Sequence, residues 1–176
     1  MVAVEDLLGG KSAMKFDLED LQKRGFAGFV TLRELRSNVQ RVPDAHGVYA
    51  VLRLSQSEPA FLEESPAGWF KQQDPSRPVA QLRAKWVPDT PVVYFGKAGP
   101  SPRRTLRRRI GEFLEFGAGE PIGHRGGRAT WQLADASDLL LGWKRVSGSS
   151  PRDFERQLLE EFESHFGALP FANFQR

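Results

Sequence analysis

The chain has 176 residues, 40 % of them apolar and 27 % charged, which excludes a disordered or fibrous polypeptide and suffices for one domain with a real core. Lys and Arg exceed Asp and Glu by 25 to 22, so the net charge of +3 and the pI near 9.4 are too mild to name a partner. Zero cysteines exclude disulfides and thiolate catalysis, and no apolar run approaches the ~18 residues of a membrane helix.

Met1–Gly10 lacks the basic start and long apolar core of a signal peptide, so a cytoplasmic chain with no membrane partner is expected. Residues 1–42 read as a helical N-terminal extension of a single domain covering 1–176. Phe16, Leu18 and Leu21 lead to Gly25, a helix stop. Thr31-Leu32-Arg33-Glu34 has capping-box spacing and predicts a second short helix ending before Pro43. Gly10-Lys11-Ser12 suggests the end of a phosphate loop, but the glycine needed five residues earlier is Glu5, which excludes it.

Val48–Leu54 is an apolar strand entered through Pro43-Asp44. From Ser55 to Pro91 the chain carries Pro59, Pro66, Pro75, Pro78, Pro88 and Pro91, with only Val79–Trp86 able to form a turn or two of helix. Trp69, Phe70 and Trp86 are too apolar for a disordered linker, so 55–90 is expected as a folded insertion.

Val92–Phe116 reads as a strand, a Gly/Pro/Ser turn and an amphipathic helix with five arginines between Arg103 and Arg109. Eight Lys/Arg fall between Lys97 and Arg128 against Glu112, Glu115 and Glu120, a local +5 that suits either a polyanion or a solvated face. At 100° per residue, with Leu106 as zero, Ile110, Phe113 and Leu114 fall at about 40°, −20° and 80°, the buried stripe. Arg109 lies near −60°, on its shoulder, where the core can hold it while its guanidinium reaches a cleft. Arg108 points nearly opposite, toward backbone binding or plain solvation. Gly117–Gly127 is a glycine-rich loop, with His124-Arg125 and Arg128 readable as a basic contact or a structural turn. Trp131–Leu133 and a strand Leu139–Val146 follow.

Ser150 and Pro151 start a closing helix that runs to Phe166. Counting from Phe154, Leu158, Leu159, Phe162 and Phe166 span about 40° to 140°, and Glu155 falls at about 100°, inside the apolar face. A buried glutamate needs a partner, either a core cation or a metal.

Gly47-Val48-Tyr49, then Tyr94-Phe95-Gly96-Lys97-Ala98, then Leu106-x-x-Arg109-Ile110, and finally Glu155-x-x-Leu158-Leu159 with Pro170 and Asn173, resemble in order the motifs of the GIY-YIG nuclease family. The resemblance implies an α/β (α+β) domain with a three-stranded, mostly antiparallel sheet flanked by helices. It implies DNA phosphodiester cleavage with one divalent ion, Mg²⁺ or Mn²⁺, on duplex or branched DNA. Carried over, Glu155 holds the metal, Arg109 binds the scissile phosphate, Tyr49 is the candidate base with Tyr94 and Lys97 beside it, and Asn173 closes the site. Arg103, Arg104, Arg108, His124, Arg125 and Arg128 are the expected DNA contacts. Phe113 stands where the family often has a tyrosine or histidine, and His124 is the candidate replacement. The insertion between the tyrosine motifs is also far longer than usual.

The chemistry is coherent without the family. A carboxylate-held Mg²⁺ suits phosphate oxygens, and an arginine supplies a fixed fork. A tyrosine with an ordinary pKa of about 10 is a poor base near neutrality unless a neighbour lowers it. The alternatives are a non-catalytic nucleic-acid-binding module, or an interaction protein presenting Trp69 and Phe70.

Overall fold

A computed structural model describes residues 16–176. Gly10-Lys11-Ser12, Met1–Gly10 and the first part of the expected extension lie outside the described residues.

The chain forms a four-stranded antiparallel sheet with helices on both faces. In chain order the elements are α1 (Leu18–Lys23), β1 (Ala27–Thr31), α2 (Leu32–Ser37), β2 (Gly47–Leu52), α3 (Val79–Lys85), β3 (Val92–Ala98), α4 (Leu106–Gly117), β4 (Leu140–Arg145) and α5 (Pro151–Phe166). The strand order is β1-β4-β2-β3, so β2 and β4 are central and β3 is an edge. All six residues of β2 are buried, as a strand covered on both faces requires. Tyr49 and Val51 belong to a core with Ile110 and Phe113 of α4, whereas Val48, Ala50 and Leu52 pack with Leu158, Leu159 and Phe162 of α5.

The expected three strands are corrected to four, and the N-terminal extension is not purely helical. Residues 27–31 pair with β4, from Ala27 opposite Trp143 to Thr31 opposite Leu140. Five residues broken by a bulge between Gly28 and Val30 carry little periodicity, and their pairing partner lies over a hundred positions away. Thr31 still caps α2 with the reciprocal Glu34 bond. The helix expected from Arg103 starts only after Thr105, whose hydroxyl accepts from the Arg108 N–H, so Arg103 and Arg104 lie in the preceding loop.

Residues 53–78 are irregular but anchored. Arg53, 6 % exposed, donates to Asp135 and to the Ser57 carbonyl, both at 2.7 Å. Gln132 is fully buried; its amide accepts from the Arg77 N–H at 2.7 Å and donates to the Leu62 and Arg77 carbonyls at 3.0 Å. Trp86 packs against Phe61 and Phe171, but Trp69 and Phe70 are exposed. No helix among the described residues is long and apolar enough to cross a membrane.

Candidate functional site

A pocket of about 630 Å³ opens beside the β3 edge. Its lining includes Tyr49 from β2, Tyr94 and Lys97 from β3, Arg109 from α4, Glu155 from α5 and Asn173 from the tail. Each regular element contributes through its own geometry. Tyr49 and Tyr94 point to the α4 side, their rings edge-on at 5.9 Å. Gly96 lies opposite Tyr49 in the β2–β3 register, and a Cβ there would stand 2.4 Å from the Tyr49 ring. The glycine of the second motif therefore makes room for the tyrosine of the first.

Arg109 is held half-buried by Glu112, one helical turn on, at 2.9 Å. That brace fixes where the guanidinium sits, as the shoulder position on α4 requires. Lys97 and Glu155 form an ion pair, with the Glu155 side chain only 10 % exposed. Burial pushes the Glu155 carboxyl above its ordinary value, and the Lys97 ammonium only partly offsets this.

Burial works against either tyrosine losing its proton. Burial pushes the Tyr49 hydroxyl up to about 12 despite the opposing pull of Arg109, and burial raises Tyr94 as well. Among the described residues the Tyr49 oxygen has no partner in hydrogen-bond geometry, although the Tyr94 hydroxyl is near enough to pull against its burial-driven rise. Burial therefore favours the protonated Tyr49 hydroxyl, the opposite of the lowered pKa that a base would need.

Asn173 closes a wall by its backbone attachment. Its amide accepts from the Phe95 N–H and donates to the Phe95 carbonyl, both at 2.9 Å, while the Ala172 N–H donates to Val93 at 2.8 Å. The tail thus pairs with the open edge of β3, and the Asn173 side chain is committed there rather than to a ligand.

Of the expected DNA contacts, Arg104, Arg125 and Arg128 line the pocket. Arg103 and Arg108 are exposed outside its lining, and Arg108 leans on Glu112 at 3.4 Å. His124 is corrected: it is 1 % exposed and packed against Phe113 and Phe116, and neither ring nitrogen has a partner among the described residues. Desolvation pushes it down to about 3, so the neutral ring is favoured, and it lies outside the lining of the main pocket. Four polar groups escaped the sequence reading. Gln73 and Arg77 come from the insertion, Gln175 and Arg176 from the tail. Arg77 stands between Pro75 and Pro78 without periodicity, so no local signal marks it.

Among the described residues the lining holds seven cationic side chains and a single side-chain carboxylate, Glu155. The backbone adds nothing to that charge at the α4 terminus. The Leu106 and Arg107 N–H groups donate to the Ala45 and Pro43 carbonyls, and the Arg108 N–H to Thr105. The positive charge that an anion would meet at this terminus is carried by side chains. Among the described residues no three His, Asp or Glu cluster as a metal cage. One carboxylate amid cations fits a Mg²⁺ or Mn²⁺ that is shared with a phosphate, since Mg²⁺ is commonly held by one or two carboxylates plus substrate oxygens. It does not fit an ion bound by protein alone.

Comparison with protein-family models, with curated proteins and with solved structures finds no match to this chain.

Proposed function

We propose that the chain is a GIY-YIG-like, metal-dependent endonuclease that hydrolyses phosphodiester bonds of cytoplasmic DNA, duplex or branched. The observation that carries this is the convergence of Tyr49, Tyr94, Lys97, Arg109 and Glu155 on one strongly cationic pocket with one carboxylate.

Arg109, braced by Glu112, offers its fork to the non-bridging oxygens of the scissile phosphate. Arg104, Arg125 and Arg128 hold neighbouring phosphates. The Tyr49 hydroxyl keeps its proton and orients a water or phosphate oxygen through its unused donor. Glu155 would hold Mg²⁺ or Mn²⁺, which supplies charge neutralisation at the phosphate and acidifies a bound water. Lys97 is 38 % exposed, so it can turn from Glu155 to a phosphate oxygen when substrate enters.

The Lys97–Glu155 ion pair also favours a second reading, a binding module in which the carboxylate merely neutralises a lysine. Plasmid nicking with Mg²⁺ against EDTA, beside Glu155→Ala and Arg109→Ala, separates the two. We expect metal-dependent nicks that fall at least about a hundredfold in both variants with folding intact. Wild-type protein that binds DNA in Mg²⁺ without nicking any substrate would leave the binding module.

A further inference from the structure

Trp69 is 57 % exposed and Phe70 39 %, on a segment that is not loose. On one side Gly68 is clamped: its N–H donates to Phe116 at 2.9 Å, and a Cβ would stand 1.8 Å from the Glu120 carbonyl. On the other side Pro75 is buried, and the Ser65 N–H bonds the Ser76 hydroxyl at 2.8 Å across the base of the loop. Between these anchors Lys71 and Gln72 adopt left-handed backbone conformations, φ 50° and 61°, that non-glycine residues seldom hold without support. A loop fixed this firmly could have turned its aromatics inward. It presents them to solvent instead.

The surroundings say what suits them. Lys71 sits over the Phe70 ring at 5.4 Å. A smaller pocket of about 50 Å³ lined by Phe70 shares Gln73, Arg125 and Arg128 with the main pocket, so the Phe70 ring and the cationic lining are continuous, with Trp69 next to Phe70 in the chain. Aromatic faces beside a cationic track match single-stranded nucleic acid, whose unpaired bases expose π-faces while the backbone follows the charge. A duplex hides those faces in its stack and offers only edges.

We propose that Trp69 and Phe70 form a stacking platform for an unpaired base flanking the phosphate held in the main pocket. The substrate class is therefore DNA with a single-stranded segment, such as a flap, fork or displaced strand, beside the bond that is cut. The identification of the flanked phosphate rests on the nuclease reading; the stacking itself does not.

The test is fluorescence anisotropy in EDTA with a labelled oligothymidylate and a blunt duplex of equal length, using wild type, Trp69→Ala, Phe70→Ala and Arg109→Ala. Each aromatic truncation is expected to weaken the oligothymidylate about tenfold, to leave the duplex within about twofold, and to leave the thermal midpoint in place. Trp69→Phe should restore affinity while abolishing the binding-induced change in tryptophan emission. Equal losses on both probes, or no loss on either, would overturn the platform; in the latter case the aromatics face a different partner. Wild type that binds neither probe overturns it too. Metal-dependent nicking with unchanged Trp69→Ala affinity removes the platform and leaves the nuclease. Selective oligothymidylate losses without any nicking remove the nuclease and leave the platform.

Discussion

The pocket has two walls of different construction. One is built from β2, β3, α4 and α5 and carries the groups proposed for chemistry: Tyr49, Tyr94, Lys97, Arg109 and Glu155. The other comes from irregular chain, residues 73–77, 125–128 and 172–176, and carries cations and amides. Regular elements hold side chains within the tolerance that bond-breaking needs, whereas charge contacts to a flexible polyanion tolerate looser placement. On the proposed nuclease reading, position on a wall would separate turnover from grip.

Gly96→Ala strikes the first wall hardest. The new Cβ meets the Tyr49 ring at 2.4 Å inside a strand with no slack, so about 3 kcal/mol of stability should go, together with nicking. Chemical denaturation checks it; a variant as stable as wild type would show that the tyrosine wall is soft.

The second wall has its own weakness at His124, near the root of the Arg125–Arg128 segment. Its folded-state pKa of about 3 lies below the ordinary 6.5, so the fold prefers the neutral ring. That preference leaves stability intact above pH 6.5 and erodes it as pH falls toward 3, by about 2–3 kcal/mol at pH 4.5. Denaturation at pH 7.5 and 4.5 should show a smaller acid penalty in His124→Leu than in wild type. An equal penalty would place the acid sensitivity elsewhere.

The mildest changes sharpen the contrast most. Arg77→Ala and Arg125→Ala should each raise the dissociation constant for DNA about fivefold, roughly 1 kcal/mol, with kcat and thermal midpoint unmoved. A drop in kcat instead would move these arginines to the chemical wall.

The same division governs what could be read from the sequence. Ser150-Pro151 marked the start of α5, and helical periodicity put Glu155 inside and Arg108 outside, because cap chemistry and a 3.6-residue repeat are local. β1 was missed because its reason to be a strand is β4, far along the chain. Arg77 reaches the pocket through the knot around Gln132, and Asn173 spends its amide on Phe95; neither bond leaves a trace in neighbouring residues. His124 misled because a histidine among arginines looks exposed until Phe113 and Phe116 cover it. The motif order located the tyrosines, but their protonation depends on burial.

The first backbone donors of α4 are spent on Ala45, Pro43 and Thr105, so the pocket's attraction rests on side-chain charge, six arginines and one lysine. Arginine does not titrate in any biological range, so acidity leaves that attraction in place. Dissolved ions do not leave it in place. Each phosphate neutralised releases counterions, and affinity falls with a log–log slope of about −0.9 per contact on duplex DNA. A nuclease of the kind proposed would loosen its hold on DNA as ionic strength rises, with no moving part and no change of shape.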